Sequence, residues 1–87
     1  MSILEEIREQ LDEEAVLYDG FEEALIGVAE HWGHEGLTCV ALYDYGLCVK
    51  ILMKQDMSDD EADEYLQFNV VGGYVGPYTP VFAHLSA

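Results

Sequence analysis

The sequence predicts an α+β domain, about four helices packed on a small sheet of two to three strands, on three observations. Ser2-Ile3-Leu4-Glu5, Asp19-Gly20-Phe21-Glu22 and Ser58-Asp59-Asp60-Glu61 are capping patterns, each followed by apolar residues at helical spacing. Leu37-Thr38-Cys39-Val40-Ala41-Leu42-Tyr43 is a short unbroken apolar run with β-branched members, which suits a strand buried on both faces. Val81-Phe82-Ala83-His84-Leu85 alternates and can pair with it. A chain of 87 residues, 51% of them apolar or aromatic, forms a single compact domain (1–87) with a core near the lower limit for independent folding.

Taken in order, Ile3, Ile7, Leu11 and Ala15 set a first helix over residues 3–14, with Glu5, Glu9, Asp12 and Glu13 on its outer face. Like charges three and four apart cost a few tenths of a kcal/mol each, roughly, so this face looks selected for its charge. Val16-Leu17-Tyr18 is a short apolar link. Phe21, Leu25, Val28 and Trp32 make the buried stripe of a second helix that Gly33 or Gly36 ends. Residues 44–55 read two ways. Leu47, Val49, Ile51 and Met53 alternate as in a strand, whereas Asp44 as N-cap with Lys50 and Lys54 toward the far end gives a helix. The helix is the favoured reading. The last helix starts at the third cap, turns Ala62, Tyr65, Leu66, Asn69 and Val70 inward, and stops at Gly72-Gly73. Gly76-Pro77-Tyr78-Thr79-Pro80 is a turn-rich loop.

The charge is the strongest constraint on partners. Eighteen acids against three bases give a net charge of −15, and the last 23 residues hold none of either. Such a field repels nucleic acid and anionic membrane and attracts basic protein surfaces and cations. Direct nucleic-acid or membrane binding is therefore disfavoured. The start Met1-Ser2-Ile3-Leu4-Glu5-Glu6 has neither the basic nor the apolar region of an export signal, and Cys39 and Cys48 read as reduced thiols, so a cytoplasmic location is expected.

Several phrases stand together: Tyr18-Asp19-Gly20-Phe21-Glu22-Glu23-Ala24-Leu25-Ile26-Gly27-Val28-Ala29, then Val40-Ala41-Leu42-Tyr43-Asp44-Tyr45 and Cys48-Val49-Lys50-Ile51-Leu52-Met53. Phe68-Asn69-Val70-Val71-Gly72-Gly73-Tyr74-Val75-Gly76 and Thr79-Pro80-Val81-Phe82 complete the set. In these the chain resembles a group of small uncharacterised proteins of bacteriophages and scattered bacteria, over residues 18–82. The resemblance implies no activity and no site residue. It implies a context, since small phage proteins are often inhibitors or adaptors that bind a host machine, in the host cytoplasm. Residues 1–17 fall outside it, as an acidic helix added to the core of 18–87.

No catalytic motif is present, and an enzyme is not expected. Asp56-Met57-Ser58-Asp59-Asp60 begins like a calcium loop but has Glu61 where Gly is needed and Gln67 where a bidentate Glu is needed. His31 and His34 with Cys39 and Cys48 could supply four zinc ligands, yet match no standard spacing, and both Cys lie in apolar runs. A Cys–His nucleophile pair needs a nearby cation that this chain hardly has. No metal or cofactor is expected. Asn69, on an apolar helix face, reads as a buried amide bonded to the loop after it. Tyr74, Tyr78 and Phe82 read as core or as an aromatic patch open to self-association as a homodimer.

The leading expectation is a small acidic non-enzymatic interaction protein, a phage-type inhibitor of a host nucleic-acid-binding machine (anti-restriction or anti-CRISPR-like). Its carboxylates would imitate the phosphate array of DNA on a basic surface of a host protein or nucleoprotein complex. The residues expected to carry it are Glu5, Glu9, Asp12, Glu13, Asp59, Asp60, Asp63 and Glu64. The rival expectations are a halophile-adapted cytoplasmic protein, whose charge says nothing of partners, and a small metal or thiol protein using Cys39, Cys48, His31 and His34.

Overall fold

The centre of the fold is a long antiparallel hairpin. Strand β1 (Leu25–Gly33) pairs with β2 (Gly36–Asp44), Val28 opposite Ala41 and Trp32 opposite Leu37. The computed structural model describes residues 3–33, 36–71, 73, 76 and 78–85. Ser2, His34, Glu35, Gly72, Tyr74, Val75 and Pro77 lie outside them, and with them the first capping box, one proposed zinc ligand, part of the helix stop and one of the three aromatics.

The hairpin corrects the second helix expected over the stripe Phe21, Leu25, Val28 and Trp32. Between Leu25 and Gly27 the register slips by one residue, so Leu25 pairs with Tyr43 and Gly27 with Leu42. That bulge inserts one residue into a period of two. Leu25 and Val28 therefore both reach the core although they stand three apart, which is the spacing of a helix. Trp32, read as the buried anchor, is 79% exposed near the hairpin tip.

β2 behaves as its composition suggests. Val40 and Ala41 are neighbours, hence on opposite faces, and both are fully buried. On its other edge β2 pairs in parallel with β3 (Val81–Ala83), Leu42 opposite Val81 and Asp44 opposite Ala83, so the sheet order is β1-β2-β3. The alternating C-terminal segment does pair with the 37–43 run. A parallel partner requires a crossover, and the two later helices lie within it.

Helix α1 (Ile3–Gln10) ends four residues before the expected limit. The cause is tertiary. Asp12 is drawn to the free edge of β2 beyond β3: its N–H donates to the Cys39 carbonyl (3.3 Å) and its Oδ2 accepts the Cys39 N–H (2.8 Å). Ile7 is buried and Leu11 packs against the core, as the spacing implies. After segment 12–18 comes a short 3₁₀ turn, Glu22–Ala24, in place of a capped helix. Backbone N–H groups of Glu22 and Gly20 hold the Glu22 carboxyl below its ordinary pKa.

Helix α2 (Tyr45–Met53) settles the ambiguous stretch in favour of the helix, with Asp44 Oδ1 accepting the Leu47 N–H at 3.3 Å. Tyr45, Cys48 and Leu52 form its buried side. Asp56, at φ 71°, turns the chain out of it. Helix α3 (Asp59–Leu66) then starts on a complete capping box: Ser58 Oγ accepts the Glu61 N–H and Glu61 Oε1 accepts the Ser58 N–H, both at 3.2 Å. It runs on through a π-wound turn, Gln67–Val71. The described architecture is three helices and a three-stranded sheet, an α+β domain with one helix fewer than expected.

The aromatic centre lies where β2 meets β3. Tyr43 is 1% exposed, stacks on Phe82 at a ring separation of 5.6 Å and meets Tyr18 at 5.8 Å with the two rings tilted by 40°. Its hydroxyl accepts the Tyr18 N–H at 2.9 Å. The Tyr18 hydroxyl, by contrast, is buried and has no hydrogen-bond partner among the described residues. An unpartnered buried hydroxyl costs about 1–3 kcal/mol, so Tyr18→Phe should stabilise the domain by about 1 kcal/mol. A urea melt checks this, and a lower midpoint in the variant would contradict it.

Candidate functional site

The expected acidic residues occur on two separate surfaces, because α1 packs on β1 whereas α3 packs on α2. On the first, Glu5 and Glu9 are exposed on α1, while Asp12 and Glu13 fall in the turn beyond it. Arg8, Glu9, Leu11, Asp12, Glu13, Ala15 and Leu17 line an open groove there of about 550 Å³. Asp12 is already committed to Cys39. A substitution at Asp12 removes a sheet contact together with a charge.

On α3 the buried stripe is Ala62, Leu66 and Val70, four residues apart. Tyr65 and Asn69, expected to face inward with them, are exposed. The Asn69 amide is not buried against the following loop. It donates to the Tyr65 carbonyl one turn back, at 3.2 Å.

The two flanks of α3 differ. One faces Tyr45, whose hydroxyl donates to the Asp63 carboxylate and accepts from Gln67 Nε2 at 3.1 Å. Burial, and then the bond to Asp63, raise the Tyr45 pKa. Asp63 thus serves the fold, leaving Asp59, Asp60 and Glu64 as the expected acids of α3 whose side chains hold no hydrogen bond to another described residue. The other flank is open. Met57, Glu61, Glu64, Tyr65, Phe68 and Asn69 line a groove of about 330 Å³, in which Phe68 is 77% and Tyr65 40% exposed. Met57, Glu61 and Phe68 are not among the partner-binding residues expected from the sequence. The available signal was the pair Tyr65 and Phe68, three apart and off the Ala62, Leu66, Val70 stripe.

The metal and thiol readings gain nothing. Cys48 is fully buried, and burial, then the Asp44 charge, push its thiol up to about 11. The Cys39 thiol is raised too, by desolvation and then by Glu30 and Asp12. Raised in this way, neither thiol is activated toward the thiolate that a cysteine nucleophile needs. Among the described residues no three His, Cys, Asp or Glu side chains are grouped to hold a metal ion. In the stretch that begins like a calcium loop, Asp56 closes α2 while Ser58 and Glu61 cap α3, so these groups serve the helix ends.

Among the described residues no helix is long and apolar enough to cross a membrane. The chain matches no family model, no curated protein and no solved structure.

Proposed function

We propose that this chain is a non-enzymatic interaction protein whose acidic helix surfaces dock on a basic surface of a host protein or nucleoprotein complex, one that otherwise holds nucleic acid. Binding there blocks the site by charge and bulk, the action of a small inhibitor. The observation that carries this reading is the fixed display of acids on α3. A capping box and a buried stripe hold the helix, and Asp59, Asp60, Glu61 and Glu64 project from it exposed. Carboxylates carried on a fixed helix spare the backbone-ordering cost of binding, which favours affinity. The charge of −15 steers the approach to a cationic partner and turns away nucleic acid itself.

The test is capture of host proteins by the parent chain, repeated with duplex DNA as competitor. A nucleic-acid-binding protein should be captured and displaced by DNA. Asp60→Lys with Glu64→Lys, and separately Glu9→Lys with Glu13→Lys, should weaken capture without unfolding the domain. Asp12 and Asp63 are poorer choices because each holds an internal hydrogen bond. Undiminished capture by both reversed variants would sink the reading.

A further inference from the structure

We propose that the open flank of α3, formed by Met57, Glu61, Glu64, Tyr65, Phe68 and Asn69, is the docking site for a partner segment carrying an apolar anchor between lysines or arginines. The inference rests on the acidic-surface reading and narrows it to one face and one kind of ligand.

Two properties of the groove define the occupant. Among the described residues its ionic members are Glu61 and Glu64, and none that line it is basic. A second copy of this chain would bring a further −15 to that rim, and a nucleic acid would bring phosphates, so complementarity requires a cationic partner. Its other wall is aromatic. A surface that only imitated phosphates would need no exposed ring, yet Phe68 and Tyr65 stand one turn apart beside the acids, with Met57 at their side. Aromatic and methionine side chains with an acidic rim form the floor and edge of a slot for an apolar side chain flanked by cations.

The local backbone favours this face over the one on α1. At Gln67 the winding passes from α to π, a form that is rare and recurs at functional sites. Phe68 lies in that turn, off the buried stripe. The helix beneath is held by Ala62 and Leu66, both fully buried, so the groove keeps its shape without a ligand. The groove beside α1 includes Arg8, and none of the described residues that line it is aromatic.

Two synthetic peptides of equal charge separate the contributions: lysines spaced by serine, and the same peptide with leucine and tryptophan at two central serine positions. Binding to the intact chain is read by fluorescence anisotropy at about 0.15 M salt. The apolar peptide should bind at least about tenfold more tightly, or 1.4 kcal/mol. Phe68→Ala and Tyr65→Ala should reduce it to the level of the polar peptide and leave the polar peptide unchanged. Glu64→Lys should weaken both. Equal affinity of the two peptides, or an unchanged apolar affinity in Phe68→Ala, overturns the proposal even where Glu64→Lys still weakens binding. If neither peptide binds, or Glu64→Lys weakens neither, the acidic-surface reading falls and this one with it. A cooperative urea transition whose folded baseline covers the assay conditions confirms that each variant is folded.

Discussion

Replacing Tyr43 with alanine should destabilise the domain by about 3–5 kcal/mol, the range for removing a large buried aromatic. Small domains have only about 5–15 kcal/mol in total, so much of the population should unfold at 37 °C. The size of the effect follows from position. Tyr43 sits on the central strand, is 1% exposed, and packs with Tyr18 and Phe82 in a cluster of three rings that touch one another at 5.6–6.0 Å. Its loss opens a cavity between β2, β3 and the segment that follows α1. Tyr43→Phe is the informative control. It keeps the ring but leaves the Tyr18 N–H without its acceptor, at a cost of about 1–2 kcal/mol. Urea unfolding followed by far-ultraviolet circular dichroism measures both. If the alanine variant loses less than the phenylalanine variant, the ring stack does not hold the core.

Leu66→Ala is the second large expectation, at about 2–5 kcal/mol. Leu66 is fully buried, and Ala62 one turn earlier contributes a single methyl that cannot fill the gap. Tyr65→Ala, one residue away and 40% exposed, should cost far less, within roughly 1 kcal/mol. The contrast tests whether α3 is anchored on α2 by its Ala62, Leu66, Val70 stripe. Equal losses at residues 65 and 66 would mean that the helix is not docked this way. The consequence reaches the groove, since the ring of Phe68 is positioned only while α3 stays on α2.

How far the fold was legible depends on the range of the interaction that forms each element. The Ser58 capping box spans four residues, and Asp44 caps α2 through Leu47, three residues on. Both can be recognised from neighbouring letters, and both occur. The end of α1 could not be read. It is set by Asp12 bonding to Cys39, 27 residues away. Nor could β1, where a bulge converts a strand's period into apparent helical spacing. Once that segment became a strand, Trp32 lost its expected place in the core and became an exposed residue opposite Leu37.

The candidate site divides along the same line. That acids would be displayed on α3 is a matter of composition and capping. Which of them remain without an internal partner is not. Asp12 and Asp63 were indistinguishable from Glu9 and Glu64 in sequence, yet one bonds a strand edge and the other a tyrosine hydroxyl.

By itself the sequence determined the charge of the surface, the starts of α2 and α3, the two-sided burial of β2 and its pairing with the last strand. Each depends on composition or on residues a few positions apart. The tertiary structure alone decided that residues 25–33 extend rather than coil, where α1 stops, and that Phe68 faces outward beside Glu61 and Glu64. Those outcomes turn on hydrogen bonds and packing between distant segments, whose energies exceed the fraction of a kcal/mol per residue, roughly, by which local preference separates strand from helix.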